Sequence, residues 1–184
     1  MADFFKDLES KMNKCVDSTR AEFASIRTGR ATPALLDRLH VEAYGSAVPL
    51  KQVASIGTPD ARTLVIQAFD KNVAGEIRKA IEKSDLGITP NVDGGTIRLT
   101  IPPLNEERRK DLVKVVKKKA EEGKVAVRNV RHKAHDDLKE QLKKHEITED
   151  DNKRMQDQLQ KLTDRFIKEI DALVASKEKD IMEV

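Results

Sequence analysis

From Leu112 to Leu138 an apolar or small residue recurs at every three- or four-residue step: Leu112, Val116, Ala120, Gly123, Val127, Val130, Ala134 and Leu138. That spacing fits the 3.6-residue period of an α-helix and excludes the two-residue period of a strand. Read from Glu106 to Lys144, the predicted helix is ~58 Å long at ~1.5 Å per residue. A stripe of that length is buried only against other long helices. Two further segments supply them. Phe5, Leu8, Met12, Cys15, Thr19, Phe23 and Ile26 share one face of a first helix ending near Arg27. Met155, Leu159, Leu162, Phe166, Ile170 and Leu173 share one face of a third, with Ile181 continuing the pattern. Charged residues make up 36% of the chain and aromatics 3%, with no Trp, which fits solvated helices better than a thick globular core.

Start signals agree with these helices. Asn105 precedes Glu106 and Glu107, and Thr148 precedes Glu149, Asp150 and Asp151. Each set gives a capping side chain followed by acids at the positive end of the helix dipole. Only His145, Glu146 and Ile147 separate the second helix from the third, so the two are expected to fold back as an antiparallel hairpin.

Residues 31–104 carry all six prolines, and seven of the eight glycines lie in or at the edge of this segment, counting Gly29. Strands are predicted at Leu39–Ala43, Gln52–Ile56, Thr63–Phe69 and Thr96–Ile101, with one short helix at Ala74–Lys83. Asp93-Gly94-Gly95 is a turn suited to a hairpin between Ile88–Val92 and Thr96–Ile101. The expected class is α+β. Residues 1–29 and 106–184 form a discontinuous three-helix bundle, and 30–105 form an inserted β/α/β domain joined by a two-stranded hinge. The joints are Thr28-Gly29-Arg30 and Pro102-Pro103-Leu104-Asn105, a permissive glycine facing two stiff prolines.

Charge is unevenly distributed although the chain as a whole carries only +3. Residues 106–145 hold 14 basic and 8 acidic side chains, 146–184 hold 7 and 11, and 31–105 hold 8 of each. On the second helix Lys110, Lys114, Lys117, Lys124, Arg128, Arg131 and His135 fall within an arc of about 100° beside the apolar stripe. Glu121 is the one acid in that row. The plain reading is a solvated face partly neutralised by the acidic third helix. The alternative is a phosphate-backbone contact surface, which requires such an acid-poor row. Arg128 and Arg131 add planar forks suited to bidentate phosphate contact, and Arg27 and Arg30 extend the set. With only Tyr44 and five Phe, base stacking on single strands is not expected; structured RNA held by its backbone fits better.

No enzyme constellation assembles. His132 and His135 lie three apart among basic neighbours with no further ligand indicated, so no metal is expected. Cys15 lies on an apolar face, where a packed thiol is the ordinary state. A single cysteine allows no internal disulfide, and no P-loop or dinucleotide fingerprint occurs, so no cofactor is expected. The segment MADFFKDLES lacks the basic and apolar regions of a signal peptide, and no apolar run reaches the ~20 residues of a membrane span. A cytoplasmic protein is expected. Gly123, mid-helix on the apolar stripe, points to close approach of a neighbouring helix or to a local bend.

Several stretches together resemble the ribosome recycling factor family of bacterial type. They are Ile26-Arg27-Thr28-Gly29-Arg30-Ala31 with Pro33 and Leu35-Leu36-Asp37; Tyr44-Gly45 with Pro49-Leu50; Ile101-Pro102-Pro103-Leu104 with Glu106-Glu107-Arg108-Arg109-Lys110; and Val125-Ala126-Val127-Arg128-Asn129-Val130-Arg131. The resemblance is collinear over essentially the whole chain. It implies an L-shaped molecule that is a monomer off the ribosome and binds it after peptide release, with the bundle against large-subunit ribosomal RNA. Elongation factor G, with GTP, would then drive subunit separation and release from mRNA. The GTP chemistry would be that partner's, and this chain would not be an enzyme. By match to the family Arg27, Arg30, Arg128 and Arg131 are RNA-contact candidates, the charge row adds Lys110, Lys114, Lys117 and Lys124, and the two joints form the hinge. His132 stands where many members carry a second consecutive arginine, and Ala43 where a tyrosine is common. The competing readings are a ribosome-associated or structured-RNA-binding helical stress factor without splitting activity, a structural helical adaptor, and a hydrolase or transferase hidden in the inserted domain.

Overall fold

The computed structural model describes residues 2–183. Contacts divide the chain into two compact units, one of residues up to Phe23 with Asp111–Asp180, the other of Ala24–Lys110 with Ile181 onward. Among the described residues there are five α-helices: α1 (Ala2–Ser25), α2 (Leu50–Val53), α3 (Ala74–Lys83), α4 (Glu106–Lys143) and α5 (Glu149–Met182).

The first unit is the bundle of α1, α4 and α5. Leu8, Met12, Val16, Thr19 and Phe23 of α1 are buried with Leu112, Val116, Ala120, Val127, Ala134 and Leu138 of α4. Met155, Leu159, Thr163, Phe166 and Ile170 of α5 complete the core. A side chain such as Phe166 or Met12, withdrawn fully from water, contributes about 1.5–3 kcal/mol. The apolar stripes differ from the sequence reading in detail, with Phe5, Ile26, Val130 and Leu173 only half-buried. Val16 is fully buried while Cys15 is only half-buried, and Thr163 takes the core position expected of Leu162. Thr163 tolerates burial because its hydroxyl donates to the Leu159 carbonyl at 2.8 Å. Glu9 pairs with Arg165 across α1 and α5, and Glu22 with Lys119 across α1 and α4 at 3.3 Å.

Gly123 marks a close approach of α4 to α1. A Cβ built on it would lie deep inside the contact radius of the Thr19 hydroxyl oxygen, 3.3 Å from Thr19 Cβ and 3.4 Å from Cγ2. Close approach, rather than a bend, is therefore what the glycine permits. The α4–α5 turn closes with two backbone bonds, His145 N–H to Leu142 O and Glu146 N–H to Gln141 O, both 3.0 Å. His145 sits at φ 57°, the left-handed residue such a cap requires. Thr148 caps α5, its hydroxyl accepting from Asp151 N–H at 3.1 Å while its own hydroxyl and N–H donate to the Asp151 carboxylate.

The second unit contains six strands: β1 (His40–Ala43), β2 (Ser46–Pro49), β3 (Ala54–Asp60), β4 (Thr63–Ala68), β5 (Asn91–Asp93) and β6 (Thr96–Thr100). β1 and β2 form a ribbon, and the others form an antiparallel sheet in the order β3-β4-β6-β5. Leu64, Ile66, Ile97 and Leu99 of the sheet, with Ile101 just after β6, are buried with Ile77 and Ile81 of α3, Val41 of β1, and Leu36 and Leu50. The α+β class follows. α1 ends at Ser25, before the predicted Arg27. Gln52 and Val53, predicted as strand, belong to the single turn α2, which buries Leu50 and Val53 at a helical i, i+3 spacing. The strand predicted at Ile88–Val92 is Asn91–Asp93, and the turn at Gly94 (φ 60°) closes it onto β6 as Asp93 opposite Thr96. β2 was not foreseen. Its side chains are mostly exposed and it is held by pairing with β1 through a turn at Tyr44-Gly45, φ 53° and 82°. Asparagine is the usual residue at such a position; tyrosine there hides the hairpin and costs roughly 1–2 kcal/mol in backbone strain.

Candidate nucleic-acid interface

The stripe that packs α4 into the bundle also fixes where the basic row lies. Residues roughly equidistant from the α4–α5 turn face each other, and the row therefore runs alongside the acids and amides of α5. Lys117 pairs with Glu178 at 3.7 Å and Lys124 with Asp171 at 2.5 Å, while Arg131 donates to Gln160 at 3.0 Å. His135 Nδ1 meets Gln156 Oε1 at 2.6 Å. The α5 partners were absent from the sequence reading, although a hairpin centred on Glu146 was signal enough to find them.

The row is thus graded. Lys124 is bound most firmly to the protein: its side chain is only 16% exposed and also lies 3.4 Å from Glu121. The hydrogen bond to Asp171, against the opposing effect of desolvation, raises its pKa above the ordinary lysine value. Lys110 meets only Glu106, one turn back in the second unit, at 3.1 Å on an exposed surface. Such a pair contributes a few tenths of a kcal/mol and yields readily to phosphate. Lys114 has no ion-pair or hydrogen-bond partner among the described residues and is exposed. Arg128 has one acid, Glu121, at the outer limit of 4.0 Å. Arg131, His132 and His135 line a cleft of about 290 Å³ with Gln156, Asp157 and Gln160. Open guanidinium donors beside a cleft, on a rigid helix, are what recognition of a phosphodiester backbone requires.

Arg27 is placed differently. Its guanidinium donates to the Leu86 carbonyl at 3.4 Å and the Pro102 carbonyl at 3.1 Å, all three within the second unit. Burial, with Arg108 nearby adding repulsion, lowers its pKa from the usual arginine value, and its Nε is buried without a partner. This side chain fastens the two joint segments to the loop after α3. Arg30 is exposed, its guanidinium 3.4 Å from Glu183. At the joints Thr28 and Leu104 are buried, and the Thr28 hydroxyl accepts from Arg30 N–H at 3.3 Å. Asn105 caps α4, its side-chain oxygen accepting from Arg108 N–H at 2.7 Å. A Cβ at Gly29 would meet nothing within 4 Å, so packing does not demand glycine there.

No group of three or more His, Cys, Asp and Glu side chains is placed to hold a metal among the described residues. No described helix is long and apolar enough to cross a membrane. Cys15 is half-buried and burial raises its thiol pKa, the opposite of an activated nucleophile.

Fold and site together define a three-helix bundle protein with an inserted antiparallel α/β unit and a graded basic row along its central helix. The ribosome recycling factor family model matches residues 19–182. The ribosome-recycling factor of Halalkalibacterium halodurans is 55% identical over 182 residues, covering 99% of this chain and 98% of the relative. That of Desulforamulus reducens is 56% identical with the same coverage. A solution structure of the ribosome recycling factor superposes with a TM-score of 0.79 at 45% identity, covering 100% of this chain and 97% of that one. The T. thermophilus factor, in models with E. coli elongation factor G bound to the E. coli post-termination complex, gives 0.68 at 46% identity, covering 99% and 98%. The chain belongs to the ribosome recycling factor family.

Proposed function

We propose that this protein recycles ribosomes after termination, binding the post-termination complex and, with elongation factor G and GTP, promoting subunit separation and release from mRNA. It contributes binding energy and geometry. The GTP chemistry belongs to its partner, the chain itself is not an enzyme, and it acts in the cytoplasm as a monomer off the ribosome. The observation that carries the reading is the weakly neutralised run Lys114, Arg128 and Arg131 on a helix whose family partners act on the ribosome. These residues, with Lys110 and Lys117 in exchangeable pairs, form the contact with large-subunit ribosomal RNA. Lys124 joins them only by leaving Asp171, and Arg27 only by releasing its two carbonyls. Arg30 contributes from the joint.

The bundle of residues 1–29 and 106–184 and the inserted domain 30–105 move on the hinge formed by Thr28, Gly29, Arg30, Pro102, Pro103, Leu104 and Asn105. Support for backbone freedom at Gly29 is that no packing constraint explains the glycine.

The test is a double replacement, Arg128→Ala with Arg131→Ala, followed by ribosome binding across a salt series and by light scattering of post-termination ribosomes with elongation factor G and GTP. Each lost phosphate contact reduces the slope of log K against log salt by about 0.7–0.9. Weakened binding, a shallower slope and slower splitting at an unchanged melting temperature are expected. An unchanged slope sinks the assignment of these arginines. Binding by the unaltered protein without any splitting would favour a ribosome-associated factor of another kind.

A further inference from the structure

Along α4 the partners that α5 offers change in kind. Lys117 and Lys124 meet the carboxylates of Glu178 and Asp171, whereas Arg131 and His135 meet the amides of Gln160 and Gln156, at 3.0 and 2.6 Å. An amide oxygen holds a donor in place without cancelling its charge. Both amides are themselves held from within α5. The Gln160 nitrogen donates to Asp164 Oδ1 at 2.8 Å, and the Gln156 nitrogen to Asn152 Oδ1 at 3.4 Å. Each glutamine is thereby turned so that its oxygen, not its nitrogen, meets α4.

The same bonds decide which ring nitrogens are open to a proton. The Gln156 oxygen only accepts, so His135 Nδ1 carries the hydrogen and Nε2 of the neutral ring is the basic atom. A guanidinium only donates, so His132 Nε2, 3.5 Å from Arg131 Nη2, is the acceptor of that ring. Histidine is the side chain that ordinarily changes charge between pH 5 and 8. Protonation of His135 at Nε2 leaves its bond to Gln156 intact, because Nδ1 still donates. Protonation of His132 turns an acceptor into a donor and releases Arg131 from it.

Arg131, His132 and His135 line one cleft with Gln156, Asp157 and Gln160, about 290 Å³ in volume. That is at the lower limit for a small-molecule pocket, about 300–1,000 Å³, and suits a single backbone group. The acid of the cleft is Asp157, on α5. On α4, Arg128 and Asp136 lie one turn from His132, and Arg131 and Lys139 one turn from His135. No residue of α1 lines the cleft. Three bases against two acids leave these surroundings positive even with both rings neutral, and each proton taken up adds a further charge. Fixed guanidinium and imidazolium donors around a positive cleft suit a phosphate oxygen.

Resting on the recycling function proposed above, we propose that the cleft between α4 and α5 seats one backbone phosphate of ribosomal RNA. His132 and His135 are its pH-dependent ligands beside Arg131, and Gln156 is the positioning residue that aims His135. Binding and proton uptake are then linked. The phosphate draws protons onto both rings, and a fall in pH tightens the hold on the ribosome.

The test is ribosome binding by the full-length protein between pH 8 and pH 6, each across a salt series. The double variant His132→Gln with His135→Gln, measured alongside, cancels any effect of pH on the ribosome. Relative to it, the unaltered protein should gain about fivefold or more in affinity on going to pH 6. Its slope of log K against log salt should steepen by about 0.7–0.9 over the same range. The double variant His132→Lys with His135→Lys, cationic throughout, should bind at pH 8 as tightly as the unaltered protein does at pH 6. Gln156→Leu should shrink the pH response while leaving affinity at pH 8 unchanged, a split that a merely structural role would not produce. An equal pH response in the glutamine variant overturns the proposal, and so does a lysine variant no tighter than the unaltered protein at pH 8. Absence of ribosome binding by the unaltered protein at every pH would remove the recycling function and this inference together, whereas binding indifferent to pH removes this inference alone.

Discussion

Gly123 offers a perturbation whose sign depends on one neighbour. Alanine in an exposed helix interior is favoured over glycine by about 1 kcal/mol, so Gly123→Ala would stabilise α4 if nothing opposed it. The structure opposes it with the Thr19 hydroxyl, which lies where the new methyl would go and is bonded to the Cys15 carbonyl at 3.1 Å. Thr19 is buried, and accommodating the methyl means breaking that bond or separating the helices. Overpacking of this kind costs about 1–3 kcal/mol. The net for Gly123→Ala is therefore a loss of up to about 2 kcal/mol, or roughly 4–8 °C in melting temperature for a chain of this size. Thr19→Ala removes both Oγ1 and Cγ2, leaving only Thr19 Cβ at 3.3 Å. In that background Gly123→Ala should become neutral or stabilising by up to about 1 kcal/mol. Urea denaturation of the two single variants, the double variant and the unaltered protein, followed by helical circular dichroism, yields the coupling energy. A coupling of 1 kcal/mol or more is expected. Simple additivity, with Gly123→Ala equally harmful in both backgrounds, would refute the account of the glycine as a seat for Thr19.

Three other outcomes follow from particular contacts. Arg27→Lys should destabilise the α/β unit by about 1–3 kcal/mol, because an ammonium does not fork to the Leu86 and Pro102 carbonyls; unchanged urea stability with weakened ribosome binding would instead make Arg27 an RNA contact. Thr148→Ala should lower bundle stability by about 1 kcal/mol in the same denaturation assay, through loss of the α5 cap. The Asp151 carboxyl is held below its ordinary pKa, chiefly by the Thr148 hydroxyl and then by Arg154. Its stabilising contribution is therefore complete above the unfolded value near ~3.9 and disappears as pH falls through the lower folded value. Acid titration of thermal stability should show a smaller decline below pH ~4 in Asp151→Asn, and identical profiles would contradict the cap.

The helices were legible because their information is local and repeated. A three-four apolar period over α4, capping side chains at Asn105 and Thr148, and a three-residue gap between α4 and α5 are properties of the chain itself. So is the clustering of positive charge on α4, and so are the motifs that carried the family resemblance. Composition and spacing likewise determined that prolines and glycines would collect in one inserted segment.

What local pattern left open was decided by neighbours distant in sequence. β2 has too few apolar residues to announce itself, and β1 makes it a strand by pairing. Leu50 and Val53 serve an alternating pattern poorly and a helical turn well, and burial against the unit's core selects the turn. Thr163 is buried where Leu162 is only half-buried, and the Leu159 carbonyl satisfies its hydroxyl there. The same applies to the basic row. Its sign and period are written in α4, but which cations remain open depends on the acids that α5 brings alongside. Lys124 is matched by Asp171 while Lys114 is not, because an ion pair requires two charges within about 4 Å and only packing brings them there.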